Sequence, residues 1–305
     1  MENNILTREL AKTLVSKTDS LHRTVLVPND ITIIDKCAFS GCNDLVSVML
    51  PGVTTIGESA FENCTNLEYV GFGSNLTDIE DSAFAGCSKL EQVTLPDSIT
   101  WIEAHTFKGC KNLKKVFLPD TVSYIGDYAF ADCSALDELC LPANLKHIGI
   151  SAFAKCSSLN DNFLMSDTVK YIGSSAFADC TSLEHFYLPE TLSEINDFVF
   201  DGCVNLKGIS MPISSLKKVG KFAFNDCVNL KHITLPESVL SIGDYAFKRC
   251  INLDIRIMSQ TVIIGEGVFK GCYSPIITVP KVTTEIQDAL EDGCYSPILQ
   301  EDSTL

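Results

Sequence analysis

The sequence predicts a solenoid, a fold in which the chain is wound into stacked turns of similar length, and three observations lead to this prediction. A Phe-x-x-Cys motif occurs eleven times in the 305 residues. Successive motif cysteines are 22 to 24 residues apart. Other apolar residues recur at the same offsets, so each turn can cover the apolar face of its neighbour. The motifs are Phe39/Cys42, Phe61/Cys64, Phe84/Cys87, Phe107/Cys110, Phe130/Cys133, Phe153/Cys156, Phe177/Cys180, Phe200/Cys203, Phe224/Cys227, Phe247/Cys250 and Phe269/Cys272.

One unit, residues 88–110, reads SKLEQVTLPDSITWIEAHTFKGC and shows the elements expected in each turn. Its first apolar run alternates apolar and polar residues toward its end and stops at Pro96. Proline cannot donate a hydrogen bond to a sheet, so a short strand should end there. After two turn residues, the segment from Ile99 to Ile102 predicts a second short strand. A proline follows the first strand in seven of ten comparable units, namely Pro51, Pro96, Pro119, Pro142, Pro189, Pro212 and Pro236.

A glycine or asparagine follows the second strand in eight units, and this position suggests a left-handed or tight turn. The remaining x-x-A-F-x-x-C segment is long enough for about one helical turn, with its Ala and Phe pointing inward. The eight residues are Gly57, Gly126, Gly149, Gly173, Asn196, Gly220, Gly243 and Gly265.

The two ends of the repeat array should be covered, because a bare terminal turn would expose apolar columns. Leu6, Leu10 and Leu14 predict a short amphipathic helix within an N-terminal helical cap, residues 1–30. Eleven repeats should occupy residues 31–280. Residues 281–299 resemble the repeat unit with one inserted residue. They predict a degenerate capping repeat, and a flexible tail should follow at 300–305.

These repeats resemble the BspA-like leucine-rich repeat family, whose pattern is I-G-x-x-A-F-x-x-C-x-x-L-x-x-V-x-L-P. The resemblance covers roughly Ile31 to Pro280. It implies a right-handed, elongated and curved leucine-rich repeat solenoid of the α/β-repeat type, with short parallel strands, turns and single-turn helices. It also implies a non-enzymatic module that recognises other macromolecules, often on the surface of anaerobic bacteria or protist parasites and associated there with cell adhesion.

Charge and hydropathy restrict the partners and the location of the chain. The formal net charge is −16, from 39 acidic and 23 basic residues, which disfavours nucleic acid and anionic membranes as partners. The longest apolar run between Met1 and Pro28 is Val25–Val27, too short for a signal peptide or a membrane span. We therefore expect a cytoplasmic protein without membrane insertion. The alternative, which the family implies, is a cell-surface or secreted protein; in either case we expect a monomer.

Twelve of the fourteen cysteines, the eleven motif residues and Cys294, share one register. Neighbours in such a column are one strand spacing apart, about 4.8 Å, whereas the Cβ atoms of a disulfide are about 3.8 Å apart. We expect buried, reduced thiols that behave as small hydrophobic groups. A straight column does not converge on one point as zinc ligands do, so no metal or cofactor is expected. Cys140 lies outside the register at a solvent-facing position and is the candidate reactive thiol.

Two outward-facing columns carry aromatic or apolar side chains in the middle repeats, where core packing gives no reason for them. We predict that they bind a protein or glycan partner, because aromatic residues are enriched at interface hot spots. The alternative is that they stack across turns only for stability. The candidates from the second strands are Trp101, Tyr124, His147 and Tyr171, and those from the first strands are Phe117, Cys140, Leu164 and Tyr187.

No catalytic constellation is recognised in the sequence. The five histidines occupy different offsets or distant turns, and none lies in a serine-hydrolase or zinc-protease motif. A row of acidic residues follows the first strands, but Ca²⁺ requires six to eight oxygens from a folded loop. We expect a solvated acidic edge at Asp97, Asp120, Asp167, Glu190 and Glu237.

Two functions remain open from the sequence. The first is an adhesin-like or surface-interaction module that binds a protein or glycan through the strand faces of the middle repeats. The second is an intracellular protein-binding scaffold, favoured by the unpaired cysteines and the missing signal peptide.

Overall fold

The computed structural model describes residues 4–17, 24–161, 163 and 165–302. It contains two compact units, one formed by residues 1–145 and 155–157 and the other by residues 146–154 and 158–305. In each unit, successive turns add one short strand to each of two rows of parallel strands. The predicted parallel-strand solenoid is therefore confirmed.

The first unit contains the helix α1, Arg8–Ser16, and twelve strands among its described residues. The strands are β1 Ile5–Leu6, β2 Thr24–Leu26, β3 Ile33–Ile34, β4 Ser47–Leu50, β5 Thr55–Ile56, β6 Tyr69–Phe72, β7 Asp78–Ile79, β8 Gln92–Thr94, β9 Trp101–Ile102, β10 Lys115–Phe117, β11 Tyr124–Ile125 and β12 Glu138–Cys140. The first strands of the turns form the sheets β2-β4-β6 and β8-β10-β12. The second strands form the sheet β1-β3-β5-β7 and the pair β9-β11.

The second unit contains the helix α2, Thr284–Glu291, and twelve further strands among its described residues. They are β13 His147–Ile148, β14 Tyr171–Ile172, β15 His185–Tyr187, β16 Glu194–Ile195, β17 Gly208–Ser210, β18 Lys218–Val219, β19 His232–Leu235, β20 Ser241–Ile242, β21 Asp254–Ile257, β22 Ile263–Ile264, β23 Ile276–Val279 and β24 Ile298–Glu301. The first strands form one sheet, β15-β17-β19-β21-β23-β24. The second strands form the pair β13-β14 and the sheet β16-β18-β20-β22.

The core of each unit is a stack of identical side chains. All eleven motif phenylalanines are fully buried. Consecutive rings of the stack that lie within one unit have centroids 4.9 to 6.1 Å apart, and their planes are nearly parallel. Such offset stacking is favourable for aromatic rings beyond the area that they bury. One residue type per column is therefore sufficient to fill every turn.

The corner that carries the motif differs from the predicted single-turn helix. Its backbone N–H groups alternate between two partners, as residues 59–64 illustrate. Ser59, Phe61 and Asn63 donate to carbonyls of the following turn, at 2.7 to 3.0 Å. Ala60, Glu62 and Cys64 donate within their own turn to the residue three positions earlier. Every N–H of this buried segment is satisfied, which a helix lying beside its neighbours could not achieve without losing the bonds between turns.

This alternation requires a left-handed backbone at two positions in each corner. Ser59 has φ +55° and Asn63 has φ +57°, and the equivalent residues of other turns behave in the same way. The left-handed conformation costs about 1–2 kcal/mol for a residue other than glycine. The left-handed positions therefore lie two and six residues after the glycine column. The expected left-handed backbone at these glycines was wrong, whereas the alternative, a tight turn, is present there, as the bond from the N–H of Ala60 to the carbonyl of Gly57 shows.

Neighbouring turns approach closely at the glycines that follow the second strand. A Cβ atom at Gly243 would lie 2.7 Å from the backbone nitrogen of Lys221 in the preceding turn. At Gly126 it would lie 2.7 Å from the nitrogen of Ala104. Neither glycine has a positive φ. The column thus keeps adjacent backbones in contact, a second established use of glycine.

The ends of the array differ in detail from the expected caps. Leu6 lies in β1 and is fully buried, whereas α1 buries Ala11 and leaves Leu10 exposed. At the other end, α2 buries Ile286, Ala289 and Leu290 and contacts β22. Gln300 and Glu301, expected in the tail, instead extend β24 and pair with β23.

We predict that Gly243→Ala lowers the free energy of unfolding by about 1–3 kcal/mol or more, because the added methyl overlaps the backbone of the preceding turn. Gly208→Ala is the matched control, since its Cβ would meet only a side-chain atom of His185, at 3.6 Å. The control should change stability by less than about 0.5 kcal/mol. Urea denaturation of both variants checks this, and equal midpoints would contradict the close-approach explanation.

Candidate functional site

The second strands hold the first four candidate residues at outward positions. Each such strand buries its second residue and leaves its first exposed or, for His147, half-exposed. In β9, Trp101 is 49% exposed and Ile102 is 1% exposed. In the first unit, Trp101 and Tyr124 are directly paired across β9 and β11. Their backbones are held by the buried isoleucines that follow them. The two aromatic side chains therefore lie side by side on a rigid surface.

The second unit presents a similar pair, His147 and Tyr171, on β13 and β14. Their ring centroids are 4.5 Å apart and the planes differ by 12°, so the rings are stacked. Stacking covers the facing sides of the two rings, and Tyr171 is still 40% exposed. The pair thus has the cross-turn stacking that the sequence left open as the alternative to binding, and this stacking leaves ring surface accessible to a partner.

The candidates from the first strands fall into smaller groups. Phe117 and Cys140 are directly paired across β10 and β12, and both are exposed. Tyr187 is 62% exposed in the second unit, but its partner on β17 is Ser210. Leu164 lies outside the described residues. The structure thus brings together Trp101 with Tyr124, Phe117 with Cys140, and His147 with Tyr171.

A third surface column of rings was missed in the sequence. It occupies the left-handed position two residues before the motif phenylalanine. His105 and Tyr128 stack there at 5.1 Å in the first unit. In the second unit, Phe198, Phe222 and Tyr245 form a continuous stack with centroids 5.0 and 4.9 Å apart. Reading this column separately would have shown aromatic residues where several other turns have serine.

Lysines flank this third column. The ammonium group of Lys248 lies 5.6 Å from the ring of Phe222 and 5.7 Å from that of Tyr245. Lys221 contacts the ring of Phe222 at 5.7 Å and also pairs with Asp244 at 3.4 Å. These cation–π contacts and ion pairs stabilise neighbouring turns. The column therefore has a structural explanation.

The motif cysteines from Cys64 to Cys272 are buried hydrogen-bond donors as well as small apolar groups. From Cys64 to Cys272, each thiol lies 3.0 to 3.3 Å from the carbonyl oxygen of the motif phenylalanine in the preceding turn. Burial raises the pKa of Cys64 and of Cys272 to about 12. A protonated, buried thiol is inert as a nucleophile. All fourteen cysteines are free, and Cys140 is the exposed one.

The acidic row after the first strands has a structural role in three of its five members. The carboxylates of Asp120, Asp167 and Glu190 accept hydrogen bonds from backbone N–H groups of the following turn, at 3.0 to 3.1 Å. Asp97 and Glu237 are exposed. The row thus connects turns as well as facing solvent.

One cluster in the described part of the chain resembles a metal-ligand set. Oxygen atoms of Asp161 and Glu184 and a ring nitrogen of His185 lie within 4.8 Å of one another. However, His185 Nδ1 is 2.9 Å from Asp161, and Glu184 is paired with Lys207. Partial burial disfavours the charged form of Asp161, but hydrogen bonds from His185 and Glu184 outweigh it and lower the pKa of the carboxyl. The cluster is explained by ion pairs between turns, such as that of Lys115 with Glu138.

Comparison with known proteins agrees with this geometry. A family model described as a BspA-type leucine-rich repeat region matches the chain in six copies, over residues 16–136, 77–207 and 170–296. The chain belongs to the BspA-type leucine-rich repeat family. Leucine-rich repeat proteins generally bind other proteins, so the chain is a repeat module of the protein-interaction type. No curated protein matches the chain significantly.

Solved structures similar to this BspA-type chain include leucine-rich repeat proteins from bacteria. The T. pallidum leucine-rich repeat protein is 30% identical over 67% of this chain and 86% of its own, with a TM-score of 0.50. A leucine-rich repeat protein from Bacteroides ovatus is 23% identical over 93% of this chain and 94% of its own, with a TM-score of 0.51, and supports the fold. A leucine-rich cell surface protein from Faecalibacterium prausnitzii is 26% identical over 77% of this chain and 78% of its own, with a TM-score of 0.45.

Neither helix could cross a lipid bilayer. Over the described ranges, α1 has nine residues and α2 has eight, and no helix combines the necessary length with sufficient apolar character.

We predict that the free energy of unfolding falls as the pH rises above 9. The folded pKa of Cys272 is raised to about 12 from an ordinary value of 9.0, so the unfolded chain loses this proton first. The contribution of the protonated thiol to the free energy of unfolding is fully present below pH 9. It is lost between pH 9 and pH 12, at about 1.4 kcal/mol per pH unit for each such thiol. Urea denaturation at several pH values should therefore show a shallower pH dependence for Cys272→Ala than for the native chain. Identical slopes would contradict the prediction.

Proposed function

We propose that the chain is a non-enzymatic recognition module, adhesin-like or surface-interacting, that binds a protein partner through outward residues of its middle repeats. The observation that carries the proposal is the pairing of exposed Trp101 and Tyr124 on adjacent strands. Other turns place small or polar residues, such as Thr55 and Asp78, in the same column. The aromatic residues are therefore confined to a few adjacent turns.

The physical basis is the rigidity of these residues. Trp101 and Tyr124 each precede a fully buried isoleucine, so their backbones are already ordered before a partner arrives. A pre-ordered aromatic side chain loses little conformational entropy on binding and buries a large area. Tryptophan and tyrosine are for this reason enriched among residues that dominate binding energy.

A protein partner is favoured over a glycan by the stacked pair of the second unit. Sugars bind aromatic platforms through an open ring face. The rings of His147 and Tyr171 cover each other at 4.5 Å, so one face of each is already occupied. The remaining ring surface and the imidazole nitrogens suit the mixed polar and apolar surface of a protein.

The non-enzymatic assignment is supported by the structural roles of the candidate chemical groups. The ten thiols from Cys64 to Cys272 bond to carbonyls, three carboxylates of the acidic row accept bonds from backbone N–H groups, and the cluster at Asp161 is paired within itself and with Lys207. These hydrogen bonds and ion pairs already occupy the thiol, carboxylate and imidazole groups that a reaction would use.

An intracellular scaffold is the second candidate, favoured by the fourteen free cysteines and by exposed Cys140 in particular. Free exposed thiols are typical of proteins in reducing compartments. The same outward residues would bind the partner in either compartment.

The binding surface is tested by the double variant Trp101→Ser/Tyr124→Ser. A partner is first captured from the native source and identified by mass spectrometry, and its affinity is then measured by calorimetry. We expect a loss of about 2 kcal/mol, roughly 30-fold, as for hot-spot residues. Thr55→Ser/Asp78→Ser in the same column is the control and should bind normally. Unchanged affinity of the Trp101/Tyr124 variant, with its fold verified by circular dichroism, would exclude this surface.

A cell-surface location and an intracellular location are distinguished by labelling intact cells of the native source with a membrane-impermeant biotin reagent. The adhesin-like function predicts that the chain is labelled before lysis. Labelling only after lysis would contradict the surface location and favour the scaffold.

A further inference from the structure

The long sheet of the second unit is interrupted between β17 and β19. These strands are paired only at Gly208 and His232. Other neighbours in this sheet are paired over three or four positions. The two strands therefore diverge after their first residue.

The sequence explains this divergence. The connection Met211-Pro-Ile-Ser-Ser-Leu216 is one residue longer than the equivalent Leu235-Pro-Glu-Ser-Val239. The extra residue alters the path of β17 relative to β19. Ile209 is consequently half-exposed, whereas Phe186 and Ile233, which occupy the same inward column, are each 3% exposed.

A groove of about 460 Å³ opens at this position, within the second unit. Its volume lies in the range of about 300–1,000 Å³ that is typical of ligand sites. Two methionines contribute to it, and methionine side chains adapt readily to different ligand shapes. The apolar lining residues are Ile209, Met211, Ile213, Ile233, Pro236 and Met258.

The apolar groove continues into a polar one. A second depression, of about 360 Å³, shares His232, Ile233 and Thr234 with the first. It contains the carboxylates of Asp254 and Asp302 and the guanidinium of Arg256, which pairs with Asp302. The formal charges of Asp254, Arg256 and Asp302 sum to one negative charge. Asp254 accepts one bond from His232, and a carboxylate can accept several.

We propose that this continuous groove binds an extended peptide segment of a partner protein that carries a large aliphatic side chain two residues away from a lysine or arginine, so that both side chains lie on the same face of the segment. The aliphatic side chain fills the space between Met211 and Met258. The basic side chain bonds to Asp254. The net charge of −16 favours the approach of a basic segment. This surface is separate from the aromatic pairs described above and does not depend on the function proposed for them.

A peptide fits this groove better than a lipid. The groove is open to solvent along its length, so an acyl chain would remain partly wetted. Anionic head groups would also be repelled by the carboxylates at its polar end. Apolar and acidic parts side by side instead match side chains two residues apart, which lie on the same face of an extended strand.

The test uses a fluorescein-labelled eight-residue peptide in which a leucine and a lysine lie two positions apart and the other residues are serine, with binding measured by fluorescence anisotropy. Ser210→Trp places an indole in the groove and should weaken binding by at least about tenfold, or 1.4 kcal/mol. Thr94→Trp is the matched control, because it introduces the same side chain in the same column of the first unit. It should bind within about twofold of the native chain. Replacing lysine by glutamate in the peptide should also weaken binding by at least about tenfold.

A second variant keeps the proposal falsifiable if Ser210→Trp does not fold. Asp254→Asn should weaken binding of the leucine–lysine peptide and leave that of a leucine–serine peptide unchanged. No binding to the native chain, or equal losses in Ser210→Trp and Thr94→Trp, would overturn the proposal. The Trp101→Ser/Tyr124→Ser variant should bind the peptide normally, so failure of the groove and failure of the aromatic surface are distinguishable.

Discussion

The carbonyl oxygen of a motif phenylalanine accepts two hydrogen bonds, and the rest of the structure depends on this arrangement. Phe61, for example, accepts the backbone N–H of Cys64 in its own turn and the thiol of Cys87 in the next turn, both at 3.1 Å. The thiol satisfies a second lone pair that would otherwise be buried without a partner. Alanine at this position would lack the donor. The Phe-x-x-Cys spacing is therefore a hydrogen-bonding requirement as well as a packing one.

This corner determines what the outward residues can do. Because Phe61, Ser59 and Asn63 connect each turn to the next, the strands do not need large outward side chains to keep the turns together. Outward positions are free to vary, and the aromatic pair Trp101 and Tyr124 occupies two of them. The inserted residue near Ile213 changes the length of its turn and disturbs the strands locally. The corner at Phe200 and Cys203 nevertheless keeps its hydrogen bonds.

The repeat pattern was sufficient to predict the strands, the buried columns and the outward position of Trp101, since each follows from period and alternation. It was not sufficient for the corner. The left-handed conformation of Ser59 and Asn63 arises from bonds between turns, and such bonds leave no single-residue signature beyond occasional glycine. Similarly, the exposure of Ile209 depends on how one extra residue is accommodated, which sequence alone leaves undetermined. The stacking of His147 on Tyr171 was foreseen only as an alternative, because period determines proximity and not ring orientation.

Residue-resolved amide hydrogen exchange of the native chain is the most direct test of the central role of the corner. We predict that protection recurs once in every turn and that the amides of the motif Phe and Cys residues, such as Phe224 and Cys227, are among the slowest to exchange. Their partners are the carbonyls of Ala246 and Phe224, at 2.8 and 3.2 Å. Rapid exchange at these corner amides, with slow exchange confined to the short strands, would contradict the account.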